Sequence, residues 1–243
     1  MSAFSPHALR GTNAFDAHAG LQAVLWDMDG TIVDTEPYWI AAEKDLVQRH
    51  GGHWSDEDAF RLVGQALPTS AGMLRDAGVD LGIREIIDEL TSQVMEGLRT
   101  DTVFRPGARE LLADLRANGV PCALVTMSEE PLARLVAEAL PEGTFDFLVT
   151  GDMVSAGKPD PAPYHLAFDT MSDRIQGLQR RRVVALEDSV PGVRSAVASG
   201  IPTIAVPHIA TLPEDGGWTV WPTLEGVGAT DLDAFVTVAG ATA

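Results

Sequence analysis

Cysteine is almost missing from the 243 residues: Cys122 stands alone. No disulfide can therefore form within the chain, and no cysteine cluster can hold a metal. Cys122 lies in the apolar stretch 120–125, which predicts a buried and inert thiol. Basic residues are scarce as well. Lys and Arg number 17 against 35 Asp and Glu, a formal charge of −18, which excludes nucleic acid and an anionic membrane surface as partners, since both require a basic face. A small anionic ligand is not excluded, because one cation or one helix N-terminus can reverse the field locally. No apolar run approaches the roughly 20 residues of a membrane span. Residues 1–20 read as a polar leader without the apolar segment of a signal peptide. The expected compartment is the cytoplasm and the expected state a monomer.

The remainder is ordinary globular composition, 45% hydrophobic and 21% charged. Residues 23–26 form a short apolar run that predicts a buried strand. Residues 34–100 carry helical pattern and almost no strand signal, with helices expected over 36–50, 56–62, 69–77 and 83–98, separated by glycines. From Pro106 the pattern alternates. Helices are expected over 106–118, 130–140, 161–171, 191–199 and 232–238, and strands over 120–126, 145–150, 182–186 and 201–206. Continuous apolar strands alternating with helices predict an α/β fold: a Rossmann-like parallel sheet in three layers. The expected organisation is a leader (1–20), a discontinuous core (21–33 and 101–243) and an inserted α-helical segment (34–100).

Open α/β sheets bind ligands at the carboxyl ends of their strands, so the residues that end each strand carry the functional information. The first strand ends in Asp27-Met28-Asp29-Gly30-Thr31. Two carboxylates two residues apart can converge on one cation, or divide the roles of nucleophile and general acid/base. An isolated Asp-x-Asp-Gly also reads as an exposed acidic turn, but four apolar residues precede Asp27. The next strand ends in Thr126-Met127-Ser128, whose hydroxyls and backbone N–H groups suit either a phosphate oxygen or a helix cap. Lys158 follows the third strand, with Pro159 and Pro161 stiffening the segment that carries it. The fourth strand ends in Glu187-Asp188. Two acids directly after a buried strand need a partner, and a hard cation such as Mg²⁺ is a natural one.

In this order, acid pair, hydroxyl, lysine, acid pair, the chain resembles the haloacid dehalogenase-like hydrolase superfamily, most of whose members are phosphatases. The matching residues are Asp27-Met28-Asp29-Gly30-Thr31, Thr126, Lys158 within Gly-Lys-Pro-Asp-Pro, and Glu187-Asp188. The stretch after the first motif looks like the family's small α-helical cap, near β-phosphoglucomutase and the sugar-phosphate phosphatases. The resemblance implies that Asp27 is the nucleophile and that Asp29 is the acid/base. It further implies that Thr126, the Met127 N–H and Lys158 hold phosphoryl oxygens, and that Asp27, Asp29 through its carbonyl, Asp188 and Glu187 hold Mg²⁺. The partner it implies is a small phosphorylated metabolite, a sugar or polyol phosphate.

Two departures separate the chain from the mutases of that branch. Trp39 stands where they place a histidine, and the loop 64–70 has no basic residue to grip a second phosphate. Hydrolysis is therefore expected over phosphomutase activity. A non-enzymatic phospho-receiver is a more distant alternative, since receivers place their acceptor on a later strand and lack the helical insert. Glu36, Trp39, Gln65 and Thr69 are the candidate substrate contacts from the insert. His50 and His53 read as a helix end rather than a metal site, Arg180-Arg181-Arg182 as a solvated edge, and Trp26 as core. Trp218 and Trp221 fit either a covered apolar patch or a partner contact.

Overall fold

The computed structural model describes residues 20–209, 211–213 and 216–239; nearly all of the expected leader lies outside them. Six strands form one parallel sheet: β1 (Ala23–Trp26), β2 (Cys122–Val125), β3 (Phe147–Val149), β4 (Val183–Glu187), β5 (Thr203–Ala205) and β6 (Thr219–Val220). Their order is β3-β2-β1-β4-β5-β6, the Rossmann arrangement, with β1 pairing β2 on one side and β4 on the other. The order reverses at β1, so a crevice opens at the carboxyl ends of β1, β2 and β4.

The strands alternate faces as a two-residue period requires. Val24, Trp26, Leu124, Val184 and Leu186 enter one buried cluster, while Ala23, Leu25, Ala123, Val125 and Ala185 enter the other. The first face is covered by α5 (Ala108–Ala117), α6 (Glu130–Glu138) and α9 (Ala229–Ala239). The second is covered by α7 (Ala162–Ser172), with α8 (Val190–Ala198) beside it. This is the three-layer α/β architecture expected. No described helix is long and apolar enough to cross a membrane.

Between β1 and α5 the described regular elements are four helices: α1 (Glu36–Arg49), α2 (Asp56–Phe60), α3 (Leu67–Asp76) and α4 (Ile83–Thr100). Ile86, Leu90, Val94 and Leu98 recur at four-residue spacing on α4 and are buried, the stripe an amphipathic helix packs with. Ser55 caps α2 in a reciprocal box with Asp58, at 3.2 Å and 3.1 Å. The segments entering and leaving this insertion pair with each other: Asp34 N–H donates to the Val103 carbonyl and Arg105 N–H to that of Ile32, each at 2.8 Å.

Three details differ from expectation. α5 begins at Ala108 because Gly107 takes a left-handed φ of +79° and lies against the backbone of Leu224 and Glu225, too close for a Cβ. α3 begins at Leu67 because Pro68 fits the first helical turn, where its missing N–H costs nothing. β6 has only two residues, both exposed, too few to leave a periodic signal.

Candidate active site

Asp27 extends β1 by one step, its N–H donating to the Leu186 carbonyl at 3.0 Å. The chain then closes a tight loop, with Ile32 N–H on the Met28 carbonyl at 2.9 Å and Gly30 N–H on that of Val33 at 2.8 Å. Gly30 has φ +83°, and a Cβ there would strike the Asp188 carboxylate. The glycine thus serves both the turn and the close approach of the β1 loop to the end of β4.

Lys158 reaches the crevice from the loop before α7. Its ammonium donates to Asp27 Oδ1 at 2.6 Å and the Val125 carbonyl at 2.9 Å, and pairs with Glu187 Oε1 at 2.6 Å. The Tyr164 hydroxyl donates to the same Glu187 oxygen at 2.6 Å. Asp27, Glu187 and Asp188 each present a carboxylate oxygen within 4.8 Å of the others, and all three are buried. One ammonium among three carboxylates leaves an excess of negative charge. Burial first, and Glu187 second, push Asp27 up to about 7. Burial, then Asp27 and Glu187, raise Asp188 well above the carboxylate range. Burial would depress Lys158, but Asp27 and Glu187 more than reverse it and hold it above its ordinary value.

Asp27 Oδ2 and Glu187 Oε2 are buried without a hydrogen-bond partner. Such orphans are costly. An all-oxygen donor set, buried, short of positive charge and with unpartnered oxygens, fits a hard divalent cation of the Mg²⁺ type.

Asp29 sits differently. Its Oδ1 accepts from the Thr35 hydroxyl at 2.7 Å and the Trp39 indole N–H at 3.3 Å. Its Oδ2 accepts from the Ser128 hydroxyl at 2.8 Å and the Thr126 hydroxyl at 3.0 Å. Two donors thus come from the approach to the insertion and its first helix, and two from the end of β2.

A cavity lies between this cluster and the insertion. Asp27, Asp29, Lys158, Met127 and Ser128 line it from the sheet, and Glu36, Trp39 and Gln65 line it from the insertion. Gly64 approaches Ser189 so closely that a Cβ at Gly64 would lie 2.5 Å from its hydroxyl. Arg84 holds Glu129 through two hydrogen bonds of 2.5 and 2.9 Å. Both contacts draw the insertion over the crevice.

The expected residues do not all fall where the sequence suggested. Thr69 is exposed and Ser70 lines the cavity instead; with α3 starting at Leu67, Thr69 turns outward and its neighbour, about 100° further round, turns in. Thr126 is fully buried and its hydroxyl is spent on Asp29, while Ser128 stands on the cavity wall. Met127 accepts the Lys158 N–H on its sulfur at 3.2 Å, so its side chain supports the lysine loop. Tyr164 and Glu43, which also lines the cavity, were not singled out from sequence, and Ser128 was named only within the segment that suits a phosphate oxygen or a helix cap. Ser128 was within reach, one residue beyond Met127 and just ahead of a helix.

The remaining candidates are structural. Cys122 is buried, and burial pushes its thiol up to about 12. His50 accepts the Asp80 N–H at 3.2 Å at the end of α1. Arg180 lies 4.0 Å over the Phe168 ring. Trp221 meets Phe235 edge to face at 6.1 Å.

The chain is 31% identical over 192 residues to the phosphorylated carbohydrates phosphatase of Thermotoga maritima, covering 76% of this chain and 84% of that protein. It is 32% identical over 191 residues to hexitol phosphatase A of Escherichia coli, covering 78% and 84%. Among solved structures, CbbY from Rhodobacter sphaeroides in complex with xylulose-(1,5)-bisphosphate superposes with a TM-score of 0.78 at 26% identity, over 88% of this chain and 99% of that one. The family model for haloacid dehalogenase-like hydrolases matches residues 24–206, a span that contains the whole carboxylate cluster, Lys158 and the helical insertion. The chain belongs to the haloacid dehalogenase-like hydrolase family.

Proposed function

We propose that this hydrolase is a Mg²⁺-dependent phosphatase that cleaves a small phosphomonoester, of a sugar or polyol, through an aspartyl-phosphate on Asp27. The observation that carries the reading is the Asp27–Lys158–Glu187 cluster with its unpartnered oxygens, placed beside Asp29 at the floor of a cavity covered by helices. The relatives named as carbohydrate and hexitol phosphatases support the same chemistry and substrate class.

Asp27 attacks phosphorus with a carboxylate oxygen, and the bond from phosphorus to the substrate's alkoxy oxygen breaks. Asp29 gives its proton to that leaving oxygen. It then takes a proton from water, which attacks the acyl phosphate and returns Asp27 with release of inorganic phosphate. Lys158 fixes Asp27 and offsets part of the charge that gathers as the phosphoryl group arrives. The Met127 N–H, just beyond β2, would orient a phosphoryl oxygen. The hydroxyls of Thr35, Thr126 and Ser128 and the indole of Trp39 hold Asp29 in position. Asp27, Asp188, Glu187 and the Asp29 carbonyl would hold Mg²⁺, which when bound neutralises phosphoryl charge.

Hydrolysis is favoured over mutase chemistry because, among the described residues, Lys158 is the one cation on the cavity lining and its ammonium is already engaged. A mutase must also grip a second phosphate. The direct test is Asp27→Asn assayed with para-nitrophenyl phosphate: turnover should fall at least about a thousandfold. Undiminished turnover by folded variant protein rejects the aspartyl-phosphate route.

A further inference from the structure

The wall that α1 gives to the cavity has a composition that the phosphoryl chemistry does not explain. Glu36 and Glu43 stand seven residues apart on α1, two turns along one helix face. Both line the cavity, and both are nearly out of reach of bulk water, 6% and 5% exposed. No described group hydrogen-bonds to the Glu36 carboxylate. Glu43 is anchored through one oxygen, which accepts the Trp54 indole N–H at 3.1 Å. Around the pair the wall is apolar, built from Ala59, Leu62, Leu67 and Leu90. Two carboxyls in an apolar wall serve no structural need that a leucine would not meet better. A few polar groups in an otherwise apolar cavity are the usual means of fixing a ligand's orientation.

We propose that Glu36 and Glu43 are the specificity-determining residues of this enzyme: they hydrogen-bond the hydroxyls of a neutral, polyhydroxylated leaving group and exclude leaving groups that carry a second phosphate or a carboxylate. The proposal rests on the phosphatase reading above and deepens it.

Two features support it. A hydroxyl satisfies a buried carboxyl in either protonation state, since it both donates and accepts. A second anion finds no counterion in this part of the cavity. Among the described residues Lys158 is the one cation on the lining, and its ammonium is committed to Asp27, Glu187 and the Val125 carbonyl. Arg61 is two-thirds exposed beside Asp58, and Arg84 points to Asp88 and Glu129. An anionic leaving group would therefore lose its hydration opposite two acids with nothing in return. This sets the chain apart from CbbY, whose structure holds a bisphosphate.

The test compares kcat/KM at pH 8 with Mg²⁺ for sorbitol 6-phosphate, phosphoglycolate, fructose 1,6-bisphosphate and para-nitrophenyl phosphate. Wild-type enzyme should prefer sorbitol 6-phosphate over both anionic substrates by at least tenfold. Glu43→Gln keeps an acceptor and removes the charge, so that preference should shrink about tenfold. Glu43→Leu removes the hydrogen bond as well, and the KM for sorbitol 6-phosphate should rise tenfold or more. Wild type that turns over para-nitrophenyl phosphate but treats the three metabolites alike overturns the proposal, as do two folded variants whose preferences stay within twofold of wild type. If the Leu variant does not fold, the wild-type profile and the Gln variant decide the matter. Wild type inactive even on para-nitrophenyl phosphate defeats the phosphatase reading itself, and this proposal with it.

Discussion

Replacing Glu43 by Gln should make the protein more stable, and by an amount that depends on pH. The carboxyl is buried in the insertion, and burial pushes it from 4.5 to about 7, with the Trp54 hydrogen bond pulling the other way. That rise corresponds to about 3 kcal/mol between the two protonation states. The sign follows from which state keeps its proton. Below pH 4.5 folded and unfolded chains are both protonated at this position, and Glu43 costs nothing. Between pH 4.5 and 7 the unfolded chain ionises while the folded one resists, so folding weakens as pH rises. Above about 7 the penalty is complete. Gln has nearly the same shape and still accepts the indole N–H, and losing the charge on that bond costs about 1 kcal/mol, too little to reverse the sign. The variant should match wild type near pH 4.5 and exceed it by about 2–3 kcal/mol at pH 8, a rise in Tm of roughly 4–12 °C for a chain this size. Thermal melts of both proteins at the two pH values, in EDTA so that metal occupancy is fixed, measure this. A stability difference that is the same at both pH values, or a Gln variant less stable at pH 8, refutes the reasoning.

Other perturbations reach different parts of the site. Lys158→Met leaves Asp27 and Glu187 facing each other without their cation, and should cost about 3–5 kcal/mol of stability together with nearly all phosphatase activity; urea titrations and para-nitrophenyl phosphate turnover read the two effects. Gly30→Ala forces a side chain into a left-handed turn and against Asp188, so folded protein with wild-type Mg²⁺ affinity by calorimetry would contradict the close approach described. EDTA should abolish turnover and Mg²⁺ should restore it, while Ca²⁺, with its longer and less regular coordination, should restore far less. Trp39→Phe removes one of the donors to Asp29 and should lower kcat about tenfold with little change in KM, as measured by steady-state kinetics.

The sheet and the buried carboxylate–lysine cluster were legible because both are written in short stretches of sequence. Ala23–Trp26 is fully buried and reads as such from four apolar letters, and the residues that follow each buried strand must lie at its carboxyl end. The insertion side was legible only in part. Thr69 and Ser70 exchange places through a helix that starts two residues early, a matter of where Pro68 sits in the first turn. Glu43 gave no signal because an acid among Ala42, Lys44 and Asp45 looks like a solvated helix face. Only the packing of Trp54 and α4 against α1 turns that face inward. Tyr164 left no signal in the sequence, and its hydroxyl reaches Glu187 from α7, which packs on β2 and β3.

The paired segments on either side of the insertion have a further consequence. Val33 and Phe104 face each other as antiparallel partners, so their Cα atoms lie about 5 Å apart, and everything between them enters and leaves the sheet domain at one point. A short turn could close that gap without disturbing a single strand pairing. Helices of another make, with other side chains over the cavity, could be spliced in at the same two residues. The insertion, proposed above to choose the leaving group, is in this sense an exchangeable cassette, its chain joined at one seam to the sheet.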